Sequence, residues 1–290
     1  MDLESLRIFN SVASELSVTR AASRLGRAPS NVTTRIQQLE AELGVELFVR
    51  NGKRMALSTS GERFVDYAQR ILSLEEEARH VITGGATGGT LRIGSMESTA
   101  ASRLPTLLAT FNRDYPATQP EVSTGPSGML IEQVRNGQLD CAFVALSTAN
   151  SDEAHLAEMG LNGRVIWQEE LLLLLPPTDA NATRPAELKT RSLAAFRVGC
   201  TYRHSAEEQL GIHAGSGWKI QELGSYHAMI ATVAAGSCVA ILPESVLQLT
   251  RARDHLATIR ICPISTYLVW RREYKTPAFE KFSQLFQGAA

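Results

Sequence analysis

Residues 17–54 read SVTRAASRLGRAPSNVTTRIQQLEAELGVELFVRNGKR. Two short helical patterns meet at a tight turn, and a basic hairpin follows. Ser17 stands before Val18, Ala21, Ala22 and Leu25, where its hydroxyl can accept a hydrogen bond from an unpaired amide of the first turn. Gly26 supplies a left-handed helix end. Pro29 suits the first turn of the next helix, since no partner is needed there for its missing N–H. That helix runs to Leu43, with Val32, Ile36, Leu39 and Leu43 as its buried stripe and Gly44 as its stop. Its other faces carry Ser30, Asn31, Thr33, Thr34, Arg35 and Gln38. Such side chains near a helix start suit entry into the major groove of DNA; they equally describe a solvated face. Beyond Leu47, Phe48 and Val49, the pair Asn51-Gly52 predicts a two-residue hairpin turn before Met55, Ala56 and Leu57. Arg50, Lys53 and Arg54 make this hairpin basic, which suits phosphate contact.

Working outward, Leu3, Leu6, Ile8, Phe9, Val12, Ala13 and Leu16 keep helical spacing ahead of this unit. After it, residues 58–61 open a longer helix. Phe64, Ile71 and Ala78 recur every seven residues, and Tyr67, Leu74 and Val81 repeat with the same period. A heptad seam cannot be buried by one helix. The same helix of a second copy would bury it and give a homodimer; packing on the chain's own N-terminal domain is the alternative. Residues 83–90, TGGATGGT, read as a hinge.

The balance of charge is local. Residues 1–65 hold nine Lys/Arg against seven Asp/Glu, and the remainder twenty against twenty-three. A mildly basic N-terminus on an acidic body fits local nucleic-acid contact. With 44% hydrophobic and 20% charged residues, the chain has the composition of a soluble globular protein. No apolar run approaches the roughly 18 residues of a membrane span, and the start lacks the basic-then-apolar pattern of a secretion signal. A cytoplasmic location, without membrane partners, is expected. Cys141, Cys200, Cys238 and Cys262 form no CxxC pair, so neither a metal site nor a cofactor is expected.

From residue 91 the pattern alternates strand and helix. Strands are expected at 91–94, 121–124 and 141–146, with helices reaching Phe111 and Val134. A second set covers 171–175, 196–199, 220–223 and 239–242, and the chain returns through 267–271 to a helix at 279–286. This argues for an α/β domain with parallel strands, which binds ligands beyond the carboxyl ends of its strands.

The stretch AASRLGRAPSNVTTRIQQLEAELGVELFVRNGKRMALSTSG, residues 21–61, resembles the N-terminal signature of LysR-type transcriptional regulators in its order of Ala-Ala, Leu, Ile, Leu-Glu, Leu-Gly, Leu-Phe, Arg and Leu-Ser/Thr. The resemblance implies a sequence-specific DNA-binding regulator, not an enzyme. It implies a winged helix-turn-helix over 1–58, a dimerising linker helix over 59–82, a hinge over 83–90 and an effector-binding domain over 91–290 like type 2 periplasmic binding proteins. That domain would split into subdomain I (about 91–163 and 267–290) and subdomain II (about 164–266), with crossover strands near 163–165 and 264–266. Homodimers or homotetramers on double-stranded DNA follow from the family. The chain departs from the family's usual Ser-Gln at Ala28-Pro29, from Ser at Thr33 and from Arg at Lys53. The missing Gln moves expected base reading onto Ser30, Thr33, Thr34 and Arg35, with Lys53 and Arg54 on the backbone.

In the family layout four turns would line the effector cleft: Glu97-Ser98-Thr99; Thr124-Gly125-Pro126-Ser127-Gly128; Cys200-Thr201-Tyr202-Arg203; and Ser225-Tyr226-His227. Helix starts there favour anions, although each hydroxyl could be only a helix cap. Arg203 favours a carboxylate effector, whereas Glu97 with Tyr202 and Tyr226 suits an ammonium group; an amine, an amino acid or a carboxylate would fit. The segments PSNVTTRI, MESTAA, STGPSG and SYH also resemble a branch of the family that controls putrescine use, which implies an amine effector. The alternatives are a cytosolic small-molecule-binding protein or an enzyme using the same cleft, with His204, His213 or His227 as base and Cys200 as nucleophile. No GxSxG, P-loop or HExxH motif supports catalysis.

Overall fold

The computed structural model describes residues 1–51, 54–83, 89–146, 153–251 and 255–286. The chain divides into two compact units, Met1–Gly85 with Asn136–Gln138, and Ala86–Arg135 with Leu139–Ala290.

The first unit contains α1 (Leu3–Glu15), α2 (Val18–Arg24), α3 (Pro29–Leu43), β1 (Phe48–Asn51), β2 (Arg54–Leu57) and α4 (Thr59–Ile82). Local signals set several of the helix ends. Asp2 caps α1 by accepting from the Ser5 amide at 2.7 Å, and Ser17 caps α2 by accepting from Arg20. Gly44 closes α3 at φ 70° with its amide on the Glu40 carbonyl. The Glu40 carboxylate then accepts from the Leu47 and Phe48 amides at 2.7 and 3.1 Å, which ties the hairpin to α3. Phe9 lies at the centre, with Phe48 of the hairpin and Phe64 of α4 at ring distances of 5.4 and 5.0 Å. A Cβ on Gly61 would stand 2.0 Å from the Leu47 carbonyl oxygen, so only glycine lets α4 start this close to the hairpin.

Three expectations are corrected here. Leu43 is exposed rather than part of the α3 stripe, while Val32, Ile36 and Leu39 are buried; the helix end projects past the core. Leu16, read with the α1 stripe, is an exposed left-handed cap at φ 46°. Asn51 pairs with Arg54, so Asn51 belongs to the ladder rather than to the turn. Gly52 and Lys53 lie outside the described residues.

Of the two readings of the α4 heptads, packing on the chain's own N-terminal unit accounts for one face, and the other face is open. Phe64, Val65 and Leu72 pack on the core of this unit around buried Ala68. Tyr67, Ile71, Leu74, Ala78 and Val81 are exposed. The open seam therefore starts at Tyr67, because Phe64 is taken by Phe9.

The second unit runs β3 (Gly89–Ser95), α5 (Glu97–Ser102), α6 (Leu104–Asp114), β4 (Thr118–Thr124), α7 (Ser127–Arg135), β5 (Cys141–Ala145), α8 (Glu153–Glu158), β6 (Leu161–Leu174), β7 (Ser192–Ala195), α9 (Thr201–Gln209), β8 (Lys219–Glu222), α10 (Tyr226–Ala234), β9 (Val239–Pro243), α11 (Glu244–Leu247), β10 (Thr258–Arg271) and α12 (Pro277–Gln284). Gly89 and Thr90, expected in the hinge, begin β3; residues 84–88 lie outside the described residues. The sheet order is β4-β3-β5-β10-β6-β9-β7-β8. β3 is parallel to β4 and β5, and β7 to β8 and β9. Those two parallel groups form two lobes. The antiparallel strands β6 and β10, each of 14 residues, run through both.

The crossover falls where neighbours change. β5 pairs with β10 over residues 266–270, and β9 pairs with β6 only from Leu171. The change lies near Gln168, Glu169 and Glu170 on β6, opposite Ser265, Ile264 and Pro263. On β10 this is the expected 264–266; on β6 it is several residues past the expected 163–165. The expected strand at 196–199 is also displaced: β7 is Ser192–Ala195, whose Leu193, Ala194 and Ala195 are buried. Small residues fit a strand covered on both faces, and Phe196 leaves the sheet to pack edge-on against Tyr226 at 4.9 Å.

A candidate DNA-reading helix and a candidate effector cleft

α3 presents its polar residues outward. Ser30, Asn31, Thr33, Thr34 and Gln38 are exposed. Thr33 donates its hydroxyl to the Pro29 carbonyl at 3.0 Å, so one of its hydrogen bonds is spent within the first turn. Arg35 differs: its guanidinium lies 3.5 Å from the Asp2 carboxylate at the start of α1. That contact turns Arg35 toward α1. Arg50 and Arg54 stand on the paired strands β1 and β2, and Lys53 is outside the described residues. Gln37 is exposed on α3 as well.

The cleft turns converge more tightly. Ser98 and Thr99 are buried in the first turn of α5, and Tyr202 and Tyr226 are buried at the starts of α9 and α10. Ser98 Oγ donates to the Tyr202 hydroxyl at 3.4 Å, and the Tyr226 hydroxyl faces the same Ser98 side chain. Tyr202 reaches Thr266 on β10 in turn. Burial pushes both phenols well above their usual range, so they stay neutral at physiological pH.

Glu97 is the exception within this bonded set. Its carboxyl faces the Tyr226 amide and His227, but Oε2 is buried without a hydrogen-bond partner. Burial pushes this carboxyl upward, against the pull of His227 and the Tyr226 amide. His227 itself is exposed.

Other expected cleft residues are already committed. Ser127 Oγ accepts from the Ala145 amide at 3.1 Å, and Thr201 Oγ1 donates to the Ala145 carbonyl at 2.9 Å. These hydroxyls hold the end of β5, and Thr201 does so from the other lobe. Gly125 and Pro126 are half-buried and Thr124 is exposed; the Gly125 amide bonds the Ser95 carbonyl. Arg203 does not point a free charge at a ligand: it pairs with Glu207 at 2.7 Å and Glu222 at 2.6 Å and donates to the Phe196 carbonyl. The expectation that it favours a carboxylate therefore fails on geometry.

Catalysis finds no support in this arrangement. Burial raises the Cys200 thiol, which disfavours the nucleophilic thiolate. His204 and His213 are exposed. No group of three or more metal-ligating side chains occurs among the described residues, and no helix there is long and apolar enough to cross a membrane.

Sequence reasoning missed Arg103, Glu169 and Thr266. Arg103 donates to Glu169 Oε1 at 3.0 and 2.8 Å, and Glu169 and Thr266 are buried. The available signal was Gln168-Glu169-Glu170, three polar residues just before the apolar run 171–175. These charges lie in the middle of β6, where it passes from one group of strands to the other.

The comparisons agree with this architecture. Residues 3–62 match the family described as bacterial regulatory helix-turn-helix protein, lysR family, and residues 84–290 match the LysR substrate binding domain. The HTH-type transcriptional regulator YusT of Bacillus subtilis (strain 168) is 36% identical over 265 residues, 91% of this chain and 85% of that protein. GltR of the same organism is 33% identical over 288 residues, 97% and 95% of the two chains. A full-length OxyR from Pseudomonas aeruginosa has the same fold with a TM-score of 0.72, 23% identity and coverage of 100% and 96%. Full-length CbnR complexed with its target DNA gives 0.68, 24%, and 100% of both chains. The helix-turn-helix match followed by the substrate-domain match, with relatives above 30% identity along almost all of it, establishes that this chain belongs to the LysR family of DNA-binding transcriptional regulators, which pair a helix-turn-helix with an effector-binding domain.

Proposed function

We propose that this cytoplasmic regulator responds to a cationic amine held in the cleft between the two lobes of its second unit. The observation that carries the reading is the contrast between Glu97 and Arg203. Glu97 Oε2 is buried and unpartnered, while Arg203 is neutralised by two carboxylates. An ammonium group beside Glu97 would supply the missing partner, and burying that carboxylate with a cation is less costly than burying it alone. Ser98, Thr99, Tyr202, Tyr226 and His227 would complete the site, with Thr124, Gly125, Pro126, Ser127, Cys200, Thr201 and Arg203 shaping its walls.

On the DNA side, Ser30, Asn31, Thr33, Thr34 and Gln38 would meet base edges, with Arg35 released from Asp2 on binding. Arg50, Lys53 and Arg54 would neutralise phosphates. The open seam of α4 would pair two copies, placing two α3 helices on one two-fold site; pairs of dimers would form the tetramer. The regulatory step is a shift between lobe arrangements, limited in size by the amine's difference in affinity for them.

A calorimetric titration of the full chain with alkylamines and diamines of two to six carbons, and with carboxylates of matched length, tests the effector reading. Amines bind, carboxylates do not, and Glu97→Gln removes amine binding. Carboxylate binding, or an unchanged amine affinity in Glu97→Gln, would overturn it.

A further inference from the structure

The second unit contains a pocket of about 310 Å³ beside the crossover of its long strands. None of its lining residues belongs to the four strand-to-helix turns of the cleft. Its place follows from strand pairing: β6 has β10 along one edge, but β9 takes up the other edge only from Leu171. Beside Gln168, Glu169 and Glu170 that second edge is unpaired, and the pocket forms there.

Both lobes contribute. Arg103 stands between α5 and α6, and Ser245 lies on α11. Their elements are already joined, since Ser102 and Ser245 hydroxyls lie 3.3 Å apart. Apart from one proline, every lining side chain is polar or charged. An apolar ligand would leave these groups without water or partners, an unfavourable exchange. A small hydrophilic ligand avoids that cost.

The charges narrow the class. Glu169 is only 7% exposed and is neutralised by the two hydrogen bonds from Arg103. Glu170 on β6 and Glu244 on α11, with Arg260 on β10, then bring charges of both signs to the lining. We propose that this pocket binds a small zwitterion of the α-amino acid type, its ammonium toward Glu170 and its carboxylate toward Arg260, as a co-effector separate from the cleft ligand. Because the ligand would touch both lobes, it biases the same equilibrium as the cleft. Pocket and cleft meet through α5: the Ser102 hydroxyl lies 2.7 Å from the Ser98 carbonyl and 3.3 Å from the hydroxyl of pocket-lining Ser245.

Differential scanning fluorimetry of the full chain with each of the common L-α-amino acids tests this. At least one raises Tm by about 3 °C or more in wild type, the scale expected for a ligand well above its Kd. The rise persists in Glu97→Gln and disappears in Glu170→Gln/Arg260→Gln. Arg260 is exposed and Glu170 half-exposed, so the unliganded transition stays in place; the single Arg260→Gln change reads the loss independently. Absence of any rise in wild type would overturn the proposal. So would a rise that survives the paired change, or one abolished by Glu97→Gln, which would place the amino acid in the cleft. Alkylamines run alongside probe the cleft alone: their rise is lost in Glu97→Gln and kept in the paired variant, so failure of either site is seen separately.

Discussion

α3 and the effector cleft are both rich in hydroxyl and amide groups, but they dispose of them in opposite ways. On α3, Ser30, Asn31, Thr34 and Gln38 are exposed. In the cleft, Ser98, Tyr202, Tyr226 and Thr266 are buried, and Ser98 donates to the Tyr202 hydroxyl. An exposed polar group exchanges water for a partner with little change in the fold. A buried one is part of the fold, and a ligand entering there competes with existing bonds. The first arrangement suits a surface always ready for DNA. The second suits a switch, in which binding and lobe geometry are the same event.

That contrast separates stability from binding, and substitutions test the separation. The largest effect is expected at Arg103→Ala, which leaves Glu169 buried without its cation. Loss of a fully buried pair costs roughly 3–5 kcal/mol. Arg103 is 37% exposed at its side chain, so about 2 kcal/mol is expected by chemical denaturation of the second unit; a loss within error would mean that Glu169 finds another partner. Tyr202→Phe should cost about 1 kcal/mol, because Ser98 loses its buried acceptor. The same measurement on Ser30→Ala with Thr34→Ala should show less than about 0.5 kcal/mol, while DNA affinity falls. Equal destabilisation by the Tyr202 and Ser30/Thr34 changes would erase the distinction between the regions.

The smallest effect concerns protons. Burial raises the Glu97 carboxyl in the folded chain, so between the ordinary glutamate range and that raised value the folded state holds more protons than the unfolded state. Stability contributed by this group is therefore greater at low pH and declines as pH rises through that window. A bound cation reverses the preference by favouring the carboxylate, so amine affinity should fall as pH drops through the same window. Glu97→Gln should flatten both dependences in paired urea and calorimetric titrations.

Much of the first unit was legible because its signals are local. Ser17, Pro29 and Gly44 mark helix ends through backbone chemistry that needs no distant neighbour. The second unit was legible where strands alternate with helices and obscure where long-range pairing decides. Phe196 is a good strand former, yet it leaves the sheet for Tyr226, and the buried strand falls on Leu193, Ala194 and Ala195. The β6 crossover depends on where β9 starts to pair, which no local pattern records. In the cleft, the residue types were readable but their commitments were not. Arg203 was visible as a cation; its two carboxylate partners, one of them 19 residues away in sequence, were not.

The most direct measurement is binding of the full chain to its own upstream intergenic DNA, followed by fluorescence anisotropy across salt concentrations, with and without an alkylamine that binds in calorimetry. The account predicts an affinity that falls steeply with salt, an amine-dependent change in affinity or footprint, and loss of that change alone in Glu97→Gln. DNA binding indifferent to every amine that occupies the cleft, or an undiminished response in Glu97→Gln, would contradict it.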